Sequence, residues 1–360
     1  MAPIPSRVYL DLTNACQLRC RHCCTSSGRP HEDELTLGEI LDLLDQIHAM
    51  GVRSVVFSGG EPMLHPRLRT ILHHSRALGL AVTVLTNGLL MNQRWAALFA
   101  ELGVRAKLSL DGTTAPTHDW LRGRGTFDAT LAALKTLLAA RAPDVTVHYT
   151  VHRLNFRELP RLPSLLARLG VSNVVIGTIK PSGRAARNQG LLIPPRMVPF
   201  VHARVSSVKR ASGIRVVAYS DRGWGDFGCP ATCNKLGITA TGRLTTCAFF
   251  GDRLLGGSVR KQSLEELWRS HLARDDVFSV NPTCASCEAL PQCNGGCRAR
   301  ALYYAGDINA PDPYACALFE RAKFLNAQKR LLLSLRRTML APCTATRTST
   351  STPSSVVGAP

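Results

Sequence analysis

The chain has 360 residues, 45% of them hydrophobic and 19% charged, which suits one large domain with a smaller appended unit and excludes disorder throughout. Its 44 basic and 25 acidic residues give a formal net charge of +19, with 36 Arg against 8 Lys. That balance fits a nucleic-acid binder, a holder of anionic metal clusters, or a protein that attracts an acidic substrate.

Taken in chain order, residues 1–7 hold no secretory apolar region, and no apolar run reaches the roughly 18 residues of a spanning helix, so a cytoplasmic chain without membrane segments is expected. In such a reducing setting, thirteen cysteines point to metal rather than disulfides. Six β-rich runs follow, at 8–12, 54–57, 81–85, 106–110, 145–151 and 174–179, separated by segments of helical period. Between the first two, Thr36 and Glu39 suit a capping box, Ile40, Leu43, Leu44 and Ile47 recur at helical spacing, and Gly51 suits the end of the helix. Six βα units predict an α/β fold, an open partial (β/α)6 barrel over residues 1–195 with its working face at the strand C-termini. Beyond Lys180 the alternation stops. A connecting segment is expected at 196–228, a cysteine-rich domain held by metal at 229–317, a basic helix at 318–342, and a disordered tail at 343–360.

Directly after the first strand stands Cys16-Gln17-Leu18-Arg19-Cys20-Arg21-His22-Cys23. Three thiolates on one cubane iron–sulfur cluster leave one iron without a protein ligand, open to bind something else; a zinc site completed by His22 is the bland alternative. After the second strand comes Ser58-Gly59-Gly60-Glu61-Pro62. Its glycines permit close backbone approach to the cysteine loop, Glu61 offers a carboxylate to an ammonium group, and Pro62 stiffens the exit.

These two motifs together resemble the radical SAM superfamily over about residues 6–180. The resemblance implies that the open iron chelates S-adenosylmethionine, whose reductive cleavage gives a 5′-deoxyadenosyl radical that abstracts hydrogen from substrate. It also implies cofactor contacts at Gly59, Gly60, Glu61, Pro62, Asn87 and Ser109, while Arg122, with Arg124 beside it, is suited to pair with the methionine carboxylate. Relatives often carry an aromatic residue where this chain has His22, which bears on adenine packing.

The C-terminal cysteines read Cys229, Cys233 and Cys247, then Cys284, Cys287, Cys293 and Cys297, then Cys316. With Gly242 and the Gly295-Gly296 pair they resemble the SPASM extension of that superfamily. The resemblance implies two auxiliary 4Fe–4S clusters, one on Cys229, Cys233, Cys247 and Cys297 and the other on Cys284, Cys287, Cys293 and Cys316. Three clusters would then be present, and a pair of zinc-ribbon knuckles is the alternative. Cys24 and Cys343 are left as bystanders.

An external electron donor such as flavodoxin or ferredoxin is implied. The first strand begins at residue 8, with no peptide-recognition domain ahead of it. With the Arg-rich, Ala-rich composition of a GC-rich genome, this leans toward a small anionic sugar or nucleoside substrate in natural-product biosynthesis, as for a decarboxylase of a nucleoside-linked uronic acid; oxidation and epimerisation are the other outcomes. A maturase of a ribosomally made peptide is the second reading. A non-enzymatic zinc or iron–sulfur protein binding nucleic acid is the third, disfavoured by only 6% aromatic residues. No catalytic acid or base is singled out, although His148, Tyr149 and Lys180 fall near strand C-termini.

Overall fold

The structure is a computed structural model and describes residues 4–210, 213–218, 235–272, 282–293 and 295–319. Cys229, Cys233, Cys343, nearly all of the expected basic helix and the whole expected tail lie outside the described residues. The molecule is a mixed α/β fold built on one ten-stranded sheet.

The six expected strands are present as β1 (Arg7–Thr13), β2 (Ser54–Gly59), β3 (Ala81–Thr86), β4 (Arg105–Ser109), β5 (Thr146–Val151) and β6 (Asn173–Thr178). They lie side by side in sequence order and pair in parallel. Parallel neighbours need crossovers, and the helical segments supply them: α1 (Leu37–Ala49), α2 (Leu68–Ala77), α3 (Gln93–Glu101), α4 (Ala115–Arg122), α5 (Thr126–Ala139) and α6 (Leu162–Leu169). Alternate residues of β1 show why the sheet is stable, since Val8, Leu10 and Leu12 are almost wholly buried in the main core. Ile40, Leu43, Leu44 and Ile47 of α1 join the same core, and truncating a buried leucine such as Leu44 to alanine costs about 2–5 kcal/mol. Thr36 and Glu39 form the full capping box, and α1 stops at Met50 before Gly51 at φ +83°.

The sheet extends past six strands at both edges. After the short helix α7 (Arg184–Arg187), a further βα unit is made by α8 (Val198–Arg210) and β7 (Arg215–Ala218), which pairs in parallel with β6. The expectation that the alternation ends at Lys180 is corrected here. Helix α8 turns Val198, Val201, Val205 and Val208 inward at helical spacing, but it follows the Pro194–Pro195 connection and leads into a strand only four residues long, so the unit carries little strand pattern. At the other edge β8 (Lys235–Ile238) pairs in parallel with β1, and β9 (Arg243–Thr245) and β10 (Leu255–Ser258) continue antiparallel from it. Residues just ahead of Cys247 are thus part of the main sheet. Arg260 fastens this edge to α1 through Glu39, at 2.6 Å.

A cysteine loop clasped by five strand ends

The C-terminal end of β1 is where the register slips between Asp11 and Thr13, and the cysteine loop begins there. Cys20 is buried and Cys16 and Cys23 are half-buried, all three as free thiols. The loop is closed on itself by Cys16 N–H donating to Gly28 O at 2.9 Å and Gly28 N–H donating to Asn14 O at 2.9 Å.

The turn after β2 braces the loop's entrance. Gly60 N–H donates to Thr13 O at 2.7 Å and Glu61 N–H to Ala15 O at 2.8 Å. A Cβ on Gly60 would lie 2.1 Å from Ala15 O, so only glycine lets the two backbones meet. Gly59 ends β2, and Pro62 opens a single 3₁₀ turn. Glu61 also has a task within the protein. Its carboxylate is almost wholly buried and accepts from Asn87 N–H at 2.8 Å, Thr86 Oγ1 at 2.7 Å and Met63 N–H at 3.1 Å. It therefore staples the turn after β2 to the turn after β3. Burial raises the Glu61 carboxyl, opposed by those hydrogen bonds.

Asn87 is carried by that staple to the mouth of the loop. Its Nδ2 lies 4.0 Å from Cys16 Sγ, and its amide exchanges contacts with Gln17 at 3.3 and 3.4 Å. Ser109 is the last residue of β4, opposite His148 of β5.

Arg122 enters a knot of protein groups. Its Nε donates to the fully buried Asp111 at 2.6 Å, its Nη2 lies 3.4 Å from His22 Nε2, and its Nη1 lies 3.9 Å from Cys20 Sγ. One edge of the guanidinium expected to meet a methionine carboxylate is held by a carboxylate of the protein. Asp111 sits at the centre of this knot: it also accepts from Thr150 N–H at 2.7 Å, and its backbone N–H donates to His118 Nδ1 at 3.1 Å. Although burial opposes ionisation, Arg122 and His22 hold the Asp111 carboxyl well below the usual carboxylate range. Arg124 is exposed beyond the end of α4.

The exit of the loop is clasped by residues that sequence reasoning left in a connector. Arg184 Nε donates to Cys20 O at 2.7 Å, its Nη1 to Ser27 O at 2.9 Å and its backbone N–H to Cys23 O at 2.9 Å, while Ser182 Oγ donates to Cys24 O at 3.0 Å. Gly183 has φ +55°, and a Cβ there would lie 2.4 Å from Cys24 O. The available signal was its place just past β6, at the same sheet end as the cysteines.

The donor set fits a thiolate-ligated anionic cluster. Arg122 and Arg184 put two positive charges beside the thiols. Burial raises Cys16 and Cys20; at Cys23 burial acts the same way but is outweighed by the Thr25 hydroxyl and Arg184, so that thiol is lowered. The His22 Nε2 lies 3.3 Å from Asp111 and 3.4 Å from Arg122 Nη2. Its Nδ1 is buried without a hydrogen-bond partner, a polar atom left for a bound group. Among the described residues no three His, Cys, Asp or Glu side chains close on a single ion, and the four irons of a cubane need a wider cradle.

The C-terminal cysteines gather in two places. Cys293 is near enough to Cys316 and Cys284 to be influenced by both, and Cys284 likewise by Cys287. Cys247 and Cys297 both act on the half-buried Lys180, whose ammonium donates to Thr178 Oγ1 at 3.2 Å. Burial lowers Lys180 to about 8, with Arg300 adding to the shift. Asp312 underpins Cys297: it accepts from Cys297 N–H at 2.8 Å and from Arg300 Nε at 2.8 Å, both side chains buried. Cys24 is half-buried beside Cys23, Asp11 and Cys247, and desolvation pushes its thiol up.

Of the other residues singled out, Tyr149 belongs to the core, its hydroxyl donating to Asn155 O at 3.3 Å, and burial lowers His148 to about 4. A missed group is Asp11, one strand turn before the cysteines. It lines a cavity of about 50 Å³ with Tyr9, Ser58, Lys235 and Thr245, and burial lifts its carboxyl to about 7 against a hydrogen bond from Ser58.

A model of the Radical SAM superfamily matches residues 10–166, and one described as an iron-sulfur cluster-binding domain, SPASM, matches residues 229–297. The mycofactocin maturase MftC of Mycolicibacterium smegmatis is 31% identical over 320 residues, covering 84% of this chain and 80% of that one. A PqqA peptide cyclase of Streptomyces rochei is 28% identical over 344 residues, covering 90% of this chain and 92% of the other. In fold, the chain is similar to native anSMEcpe with bound AdoMet, at a TM-score of 0.72 and 17% identity over 92% of this chain and 100% of that one. The paired cysteine sets and these likenesses agree that the chain is an enzyme of S-adenosylmethionine and 4Fe–4S clusters, and it belongs to the radical SAM superfamily, with a C-terminal SPASM domain.

Proposed function

We propose that this enzyme modifies a side chain or backbone carbon of a ribosomally made precursor peptide. The observation that carries the substrate class is its similarity, across four-fifths or more of both chains, to a mycofactocin maturase and a PqqA peptide cyclase. That similarity favours a peptide over the sugar or nucleoside expected from sequence. In this reading Cys16, Cys20 and Cys23 hold the cluster that binds S-adenosylmethionine, and the C-terminal cysteines hold two auxiliary clusters in the interleaved sets given above. An external flavodoxin or ferredoxin supplies electrons.

When bound, the cluster and S-adenosylmethionine supply a carbon radical able to take hydrogen from a C–H bond that no general base can ionise. The chain's own residues hold and shield that chemistry. Glu61 fixes the turns after β2 and β3 against each other, so Gly60 and Asn87 face the loop in one arrangement. Arg122 and Arg184 offset negative charge at the loop, and Lys180 does the same between Cys247 and Cys297. Asp111 fixes Arg122 rather than leaving it free to follow a ligand. No helix among the described residues is long and apolar enough to cross a membrane.

The test is anaerobic. Reconstituted, dithionite-reduced enzyme is mixed with S-adenosylmethionine and either synthetic peptides from the short reading frames flanking its gene or a nucleoside-linked uronic acid. Peptide-dependent 5′-deoxyadenosine with a mass change in the peptide is expected. Loss of carbon dioxide from the uronic acid, with every peptide inert, would overturn the peptide reading.

A further inference from the structure

Across the described strands of the sheet, Asp11 is the only acidic residue. A carboxylate is a poor strand former, so its place in the middle of a sheet calls for a reason other than stability. Val8, Leu10 and Leu12 turn toward the helices, which leaves Tyr9 and Asp11 on the other face of the sheet, where both are half-buried. There Asp11 lines the cavity of about 50 Å³ with Tyr9, Ser58 of β2, Lys235 of β8 and Thr245 of β9, a space for one or two groups the size of a hydroxyl or an amide. The Ser58 hydroxyl donates to the Asp11 carboxylate, and the Lys235 ammonium stands 4.5 Å from the centre of the Tyr9 ring. Thr245 is 6% exposed, and its Oγ1 has no hydrogen-bond partner among the described residues. A buried hydroxyl without a partner is costly, and one that faces a cavity beside a carboxylate marks the place of a polar group that arrives from outside. Cys16 follows Asp11 beyond the end of β1 and Cys247 follows Thr245 beyond the end of β9, so the cavity is walled by strands that lead into one cysteine of each set.

We propose that Asp11 is a catalytic residue: it takes the proton that leaves the peptide as the substrate radical is oxidised, with Thr245 Oγ1 holding the group that loses it. This role rests on the reading that the substrate is a precursor peptide. One C–H bond of the peptide breaks and its hydrogen atom goes to the 5′-deoxyadenosyl radical. The carbon radical left behind gives one electron to an oxidised 4Fe–4S auxiliary cluster. An adjacent O–H, N–H or C–H gives its proton to the Asp11 carboxylate, and the electron pair of that bond forms the new bond to the carbon. The peptide is thereby oxidised by two electrons and is two hydrogens lighter. Burial lifts Asp11 to about 7, near the working pH at which a base has most effect. The Cys24 thiol, also near Asp11, is pushed up by desolvation and keeps its proton. His148, on the same face of the sheet, is lowered to about 4 by burial and is the weaker base.

The experiment uses reconstituted holoenzyme with S-adenosylmethionine, dithionite and a peptide that the wild type modifies, and counts 5′-deoxyadenosine and modified peptide in the same reaction. Asp11→Asn is expected to form 5′-deoxyadenosine within about threefold of wild type while modified peptide falls about 100-fold or more. Wild-type product formation should decline as pH drops below about 7, where Asp11 takes up its proton, and Asp11→Asn should lose that dependence. Thr245→Val should lower modified peptide by about threefold to tenfold, again with 5′-deoxyadenosine in excess. Modified peptide at the wild-type rate in Asp11→Asn would overturn the proposal. So would an equal loss of 5′-deoxyadenosine and product in a variant that keeps its iron, which would make Asp11 a support for the cofactor. If Asp11→Asn does not fill its clusters, Thr245→Val decides: 5′-deoxyadenosine in excess of product supports the proposal, and strict coupling of the two overturns it. A wild-type enzyme that cleaves S-adenosylmethionine yet modifies no peptide would overturn the peptide reading itself, and this role with it.

Discussion

The two cysteine-bearing regions are built on opposite principles. Around Cys16, Cys20 and Cys23 the backbone is held by the turn after β2 and the Ser182–Arg184 segment, at 2.7–3.0 Å to loop carbonyls, while Asn87 and Arg122 approach the side chains of Cys16, Gln17 and Cys20. Around Cys284, Cys287 and Cys293 the helices are single turns, Pro282–Ala285 and Leu290–Cys293, and Cys287 is exposed. The first site is prepared by protein structure before any iron arrives, whereas the second depends on the metal to define it. A centre that must bind and release a cofactor benefits from walls that do not move. A fully ligated centre can serve as its own scaffold.

The largest effect should come from removing the ligands of each region in turn. C16A/C20A/C23A and C284A/C287A/C293A/C316A should each lose about four of about twelve irons per chain by anaerobic iron analysis. Only the second should become markedly sensitive to limited proteolysis after residue 280, while only the first should abolish 5′-deoxyadenosine formation. Equal proteolytic sensitivity in both variants would break the contrast.

A smaller effect should follow at a buried ion pair in the C-terminal region. Asp312→Ala removes the carboxylate facing the Arg300 guanidinium, 5% exposed, and deprives Cys297 N–H of its acceptor. A loss of about 3–5 kcal/mol is expected in denaturant unfolding, with a shifted midpoint potential for the auxiliary centre. A change under about 1 kcal/mol would mean that metal alone organises this region.

The smallest effect concerns Glu39 and Arg260, which tie the β10 edge to α1. Arg260 first, then the Thr36 backbone, lower the Glu39 carboxyl from 4.5 to about 2. Its contribution is therefore present above pH 4.5 and lost as pH falls toward 2. Both side chains are about one-third exposed, so Arg260→Ala should cost only about 0.5 kcal/mol at pH 7. The difference from wild type in thermal unfolding should shrink steadily below pH 4.5.

Much of this was legible in the sequence because the signals were local. The six strands, the Thr36–Glu39 cap and the core face of α1 follow from periodicity and spacing over a few residues. The partners of Glu61 and Arg122 were illegible because they are set 25 and 11 residues away by the meeting of neighbouring strand ends. Strand β8 was missed for the same reason: four residues carry little pattern, and only its pairing with β1 defines it. Arg184 lay in a stretch whose Pro and Gly content reads as linker, yet its guanidinium reaches back 164 residues to Cys20.

That reach sets an order of events during synthesis. The thiols leave the ribosome early, but the segment that locks their carbonyls is translated more than 150 residues later. A product truncated near residue 180 would carry all three ligands and the braces at the loop's entrance but not the clasp at its exit, so the first site is complete only once residues 182–184 have been made.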